Sequence, residues 1–320
     1  MRSQGLEIGL GAREHIAAFM KNYYAVNPYD TTRLHGELVN YIRQFRELGY
    51  WSALIDGAFD HGQRSSSLPI PTYPIYYKDK LAYIRPVSPL LLELPLANED
   101  ELETALFSIL NHCRGRPMLS FVCSSQPPQH LAESWQEILE IQTDDGQPFL
   151  LRFADTRVTP AIALALSGDV WPRLSRDVRQ WLCIDRYGEL QPLTTDERPA
   201  PAEDPAYPIC IDQTALSWLL KLGEPDALAN ELYEHFPELL LRDRGAKLYE
   251  ELAKTGALGE KHGVEAFPDL VALAVSVRIS DGSLLYDPAF ENWLQRREWL
   301  TVGMADALAE YLETSEAGGI

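Results

Sequence analysis

Pro89–Cys123, PLLLELPLANEDELETALFSILNHCRGRPMLSFVC, decides the fold class. PLLLEL (89–94) is an apolar run too short for a helix, and MLSFVC (118–123) is another, so both read as buried strands. Between them, Asn98-Glu99-Asp100-Glu101 is a capping box before a helix carrying Leu102, Leu106, Ile109 and Leu110 at helical spacing. Strand, helix, strand predicts an α/β lobe with a mixed or largely parallel sheet covered by helices. The pattern extends in both directions. YWSALI (Tyr50–Ile55) is a strand closed by the turn Asp56-Gly57, and a helix bearing Leu131, Trp135, Ile138 and Leu139 follows MLSFVC. FLLRF (Phe149–Phe153) is a fourth strand with an apolar helix over Pro160–Leu166 behind it, and WLCIDRY (Trp181–Tyr187) adds an edge strand. Asp60–Pro86, rich in Ser and Pro, reads as a long surface loop.

This α/β lobe spans 49–187. Ahead of it, helical patterns over 12–24 and 30–48 make residues 1–48 a helical N-terminal extension. Behind it, residues 188–207 hold Pro192, Pro199, Pro201 and Pro205 among acidic residues, the composition of a linker. Beyond the linker, 208–320 reads as a helical lobe, with helices over Asp212–Leu222, Pro225–Phe236, Pro237–Leu252, Glu265–Ile279 and Pro288–Leu312.

The chain has 320 residues, 46% hydrophobic and 23% charged, which is the composition of a folded globular protein. Its 28 basic and 47 acidic residues give a net charge of −19. Residues 1–48 carry +1, 49–207 carry −9 and 208–320 carry −11. Such a surface repels phosphate backbones and anionic lipid, which argues against nucleic-acid binding. The longest apolar runs, such as Ala161–Leu166, fall far short of the roughly 20 residues of a membrane-spanning helix, so no membrane insertion is expected. Cys113, Cys123, Cys183 and Cys210 form no CxxC pair and read as buried free thiols; the N-terminus lacks the apolar core of a signal peptide. A cytoplasmic location is expected.

The common catalytic and metal signatures are absent, and the seven histidines show no ligand spacing, so neither metal nor cofactor is expected. Gly9-Leu10-Gly11 lacks the preceding strand and third glycine of a dinucleotide site. Asp56 and Asp60 follow the first strand, where α/β folds place ligand or metal groups, but turn formation and local capping explain them more simply. Asp144-Asp145-Gly146 reads as a turn. The most pointed cluster is Arg152, Asp155 and Arg157, in which two guanidinium groups bracket one carboxylate at the end of the fourth strand. It can clamp a carboxylate-bearing partner or lock the strand to the next helix; the helix start at Thr159-Pro160 favours the lock.

The order of these motifs, Ala53–Ala58 (ALIDGA), PLLLEL, MLSFVCSS and LRFADTRV, resembles domain of unknown function 4123, the Tap-like adaptor chaperones of bacterial type VI secretion. Arg152, Phe153, Asp155, Arg157 and Val158 match the family's pattern of Arg, aromatic, any residue, Asp, Pro, Arg, Val. Thr156 replaces the proline, from which a looser turn is expected. The likeness runs from Tyr50 to Tyr187 and weakens across the helical lobe. The resemblance implies a non-enzymatic adaptor that binds a toxic effector and helps load it onto the spike protein VgrG. Two alternatives stand beside it: a hydrolase-like enzyme using Asp56 or Asp60, and an immunity protein that occludes a toxin.

Overall fold

The computed structural model describes residues 24–60, 65–76, 79–168, 170–195, 209–240 and 245–317. Gly9–Gly11 and all but the last residue of the helix expected over 12–24 lie outside them. The chain divides into two compact units, Val26–Gly223 and Glu224–Ile320, the latter including Tyr24 and Ala25.

The first unit is built on a six-stranded sheet of order β2-β3-β1-β4-β7-β8. Its strands are β1 (Tyr50–Asp56), β2 (Thr72–Pro74), β3 (Pro89–Glu93), β4 (Leu119–Ser124), β7 (Val178–Ile184) and β8 (Leu190–Leu193). Every neighbouring pair is antiparallel, which corrects the expected mixed or largely parallel sheet. The reason lies in β1. It sits between β3 and β4 and pairs antiparallel with both, in registers such as Leu54↔Leu91 and Leu54↔Ser120. Strands β3 and β4 therefore do run in the same direction, as the intervening helix α2 (Glu99–Cys113) requires, but they are not neighbours. Crossover logic fixes the direction of a strand–helix–strand unit and leaves open what is inserted between its strands.

Local signals hold where they are local. Asn98 caps α2 by accepting from Asp100 N (3.1 Å) and Glu101 N (3.4 Å), and its own amide reaches Glu101 Oε1 at 2.8 Å. Helix α1 (Thr31–Gln44) is capped by Asp30 and packs on α2 through Leu34, Leu38, Val39 and Ile42, so it is part of this unit. The expected fourth strand shrinks to β6 (Pro148–Leu150), which joins β5 (Glu140–Thr143) and β9 (Ile209–Ile211) in a second sheet whose β5–β9 pair is parallel. The expected loop over 60–86 contains β2 and a 3-10 segment over Asp79–Val87. Strand β7 is interior because β8 pairs outside it; β8 occupies part of the expected linker 188–207, whose residues from 196 onward lie outside the described ones. Helices α3 (Pro128–Gln136), α4 (Thr159–Ala165) and α5 (Val170–Leu174) help enclose a core in which the Trp135 and Phe153 rings lie 5.0 Å apart and Trp171 and Trp181 also 5.0 Å apart.

The second unit is helical. Helix α6 (Gln213–His235) runs through Pro225, so the two helices expected there are one, at the loss of one main-chain hydrogen bond. Its second half belongs with α7 (Ala246–His262), α8 (Phe267–Ile279), α9 (Pro288–Arg296), α10 (Trp299–Val302) and α11 (Met304–Ala317). The single helix expected over Pro288–Leu312 is broken into α9 to α11 at Arg297 (φ 56°) and Gly303 (φ 95°). Leu232, Leu252, Leu273, Phe290 and Trp299 are among the buried core residues. Arg278, buried among them, donates to Glu251 Oε1 at 2.9 Å and to Leu239 O at 2.6 Å. Arg278→Ala leaves the half-buried Glu251 carboxylate and the Leu239 carbonyl without this donor. It should lower stability by about 3–5 kcal/mol, read by urea unfolding.

Candidate partner-binding site

The site begins where β1 ends. Strand β1 is buried from Trp51 to Asp56, and Asp56 N donates to Met118 O at 2.9 Å. The chain then turns through a 3-10 segment, Gly57–Phe59, with Asp56 Oδ1 accepting from Ala58 N at 3.0 Å. Gly57 lets the backbone pass close to β3: a Cβ there would stand 2.4 Å from Ser88 O. The other Asp56 oxygen accepts from Arg152 Nη2 at 2.9 Å.

Asp155 is held separately. Its Oδ1 accepts from Arg157 N (3.1 Å) and Nε (3.0 Å), and its Oδ2 from Arg157 Nη2 (2.8 Å), a bidentate pair closed over two residues. Thr159 Oγ1 lies 2.8 Å from both Phe153 O and Asp155 O, which fixes the start of α4. The expected bracketing of Asp155 by both arginines is corrected accordingly. Arg157 folds back onto Asp155, and Arg152 pairs with Asp56, 96 positions away in sequence. The two pairs meet at Phe59, whose ring centroid lies 5.5 Å from Arg152 Cζ and 5.3 Å from Arg157 Cζ. Thr156 does not loosen the turn. It is buried, and its N–H, which a proline would lack, donates to Pro117 O at 3.1 Å.

Burial pushes the Asp56 carboxyl above its ordinary pKa; Arg152 and the Ala58 N–H offset only part of that. Burial is the largest influence on the Arg152 pKa and lowers it, but the charge and hydrogen bond of Asp56, together with Asp155 and Tyr76, outweigh it and the net direction is up. The nearby Tyr76 hydroxyl is raised by burial and then by Asp56.

Asp60 belongs to a different cluster, which the sequence reading missed. Ser65 Oγ donates to Asp60 Oδ1 at 2.6 Å, Ser65 N donates to Oδ2 at 2.8 Å, and His112 Nε2 of α2 lies 3.0 Å from both Asp60 Oδ1 and Ser65 Oγ. Burial raises the Asp60 pKa and these donors lower it, for a net shift downward. A Ser–His–Asp relay needs the acid on one ring nitrogen and the hydroxyl on the other. Here both crowd Nε2, and the arrangement ties Asp60 and Ser65 to α2. No sequence spacing links positions 60, 65 and 112, so only folding brings them together. Asp144-Asp145-Gly146 forms the expected turn, with Gly146 at φ 80°. Among the described residues no group of three His, Cys, Asp or Glu could hold a metal ion.

The two Asp–Arg pairs respond differently to neutralisation. Arg152 keeps 46% of its side chain in solvent, whereas Arg157 keeps 18%. Asp155→Asn should therefore cost about 2–3 kcal/mol at neutral pH, and Asp56→Asn within about 1 kcal/mol, because it also removes a buried charge. The raised pKa makes the folded state hold the Asp56 proton more tightly than the unfolded chain does. Its contribution favours folding at low pH and is lost as pH rises through the folded pKa. Carboxyl carbon shifts followed by NMR titration should place Asp56 above, and Asp60 below, the ordinary aspartate range.

No curated protein and no solved structure matches the chain. Residues 51–173 match the model of a family described as Domain of unknown function (DUF4123), a stretch that contains all of β1 but Tyr50, and both Asp–Arg pairs. The matched stretch lies within the Tyr50–Tyr187 region where the resemblance was read. Over residues 51–173 the chain is thus similar to the DUF4123 family, which is known as the Tap-like adaptor chaperones of type VI secretion.

Proposed function

We propose that this chain is a cytoplasmic type VI secretion adaptor that binds a toxic effector and helps load it onto the VgrG spike. The family match over the sheet-bearing unit carries this reading. The state of the aspartates supports it over the hydrolase-like alternative. Both oxygens of Asp56 and both of Asp60 are taken by donors of the fold, so neither is poised to act as base or nucleophile. The surface also suits a protein partner. Leu164 and Trp218 are exposed in the first unit and Tyr286, Leu300 and Val302 in the second, on a chain of net charge −19. Exposed apolar anchors in an acidic surround fit a client with a basic binding face, whose encounter the acidic rim accelerates.

Within this reading, Asp56, Arg152, Asp155 and Arg157 act as a structural lock that holds the end of β1 against the start of α4. Arg157→Ala separates lock from clamp. Under the lock the melting temperature falls together with effector binding; a clamp would lose affinity by roughly 2–5 kcal/mol at unchanged melting temperature. The adaptor reading itself is tested by co-expressing the chain with the effector encoded beside it and applying the mixture to size exclusion at micromolar concentration. Co-elution is expected, with an interface on the order of 1,600 Å². Separate elution from both effector and VgrG would overturn the reading.

A further inference from the structure

We propose that the free edge of β2, with the 3-10 segment over Asp79–Val87 beside it, forms a docking groove for an extended acidic peptide segment, which would add to the sheet as a further strand. Strand β2 is an edge of the six-stranded sheet. Glu93 N donates to Pro71 O and Ile75 N to Pro89 O, both at 2.9 Å, so Pro71 and Ile75 face β3. By alternation Tyr73 also faces β3, and Thr72 and Pro74 face outward. The Thr72 N–H, the Thr72 C=O and the Pro74 C=O thus point away from the sheet, with no main-chain partner among the described residues. An open edge of this kind is a template for another strand, and prolines at Pro71 and Pro74 keep it short.

The same edge lines a groove of about 640 Å³ with Tyr83, Arg85, Pro86 and Leu90, a volume in the range of ligand clefts. Tyr83 is 80% exposed. The Arg85 guanidinium has no hydrogen-bond or ion-pair partner among the described residues, while Asp60, the acidic residue of the lining, is occupied by Ser65 and His112. Charge selects the occupant. Arg85 is the one cation among the described residues that line the groove, and the one carboxylate there is already held by its own donors. Main-chain hydrogen bonds to the edge would supply affinity, and a carboxylate opposite Arg85 with an apolar side chain against Tyr83 would supply selectivity.

The inference stands on the groove and does not require the adaptor reading, so co-elution with an effector and peptide binding succeed or fail separately. The test titrates the full chain with a fluorescein-labelled peptide of alternating Glu and Val, and with its Lys-for-Glu counterpart, by fluorescence anisotropy. The acidic peptide is expected to bind, to weaken with salt, and to slow hydrogen exchange at the Thr72 amide. Arg85→Glu should weaken it about tenfold and Thr72→Pro, which removes the outward N–H, should weaken it as well. Tyr83→Ala, at an exposed position, should weaken it with an unchanged melting temperature. No binding up to about 1 mM overturns the proposal. So does equal or tighter binding of the lysine peptide, unchanged affinity in Arg85→Glu, or binding that leaves the Thr72 amide unprotected.

Discussion

The first unit depends on the double pairing of β1. Six of its seven residues are buried, and both of its edges are taken, by β3 on one side and β4 on the other. A strand in that position has no solvent to fall back on, so every polar group it carries must be satisfied within the protein. Asp56, at its end, is the sharpest case. Burial disfavours its charge, and the fold answers with the Ala58 N–H and the Arg152 guanidinium. From this follow the close passage of Gly57 by Ser88 and the placing of Phe59 beside both arginines. The ends of β1, β6 and α4 are tied at one point because a buried carboxylate needs partners.

This organisation bears on function through what it consumes. An enzyme at the ends of these strands would need carboxylate oxygens or an imidazole left available for substrate. The Asp56, Asp60 and His112 groups are spent instead on holding turns in place. What remains toward solvent is contact surface: large apolar side chains and an acidic charge balance. The adaptor reading proposed above would use such a surface, and DUF4123 is associated with adaptor and chaperone roles.

The edges of the main sheet add a second constraint. Strand β8 carries Pro192, paired across from Leu182, and β2 is bounded by Pro71 and Pro74. Proline at an edge discourages indiscriminate pairing between sheets. At β2 this protection is partial, and the basic side chain of Arg85 lies beside the gap.

The sequence by itself determined what is local. The capping box at Asn98, the short apolar runs of β1, β3 and β4, the turn at Gly146 and the helical character of the C-terminal unit were all readable from spacing and residue type, and so were the motifs that resemble DUF4123. Tertiary structure alone decided the rest, because it turns on pairings between distant residues. Direction along a strand–helix–strand unit is local, but the insertion of β1 between β3 and β4 is a long-range choice, and it made antiparallel a sheet expected to be mixed or largely parallel. Arg152 stands three residues from Asp155, which suggested a partner, yet its carboxylate is Asp56, brought to it when β1 takes its central place. The Asp60, Ser65 and His112 cluster had no signal in the sequence for the same reason: the energy of a buried hydrogen bond depends on distance in space, and the chain records only order.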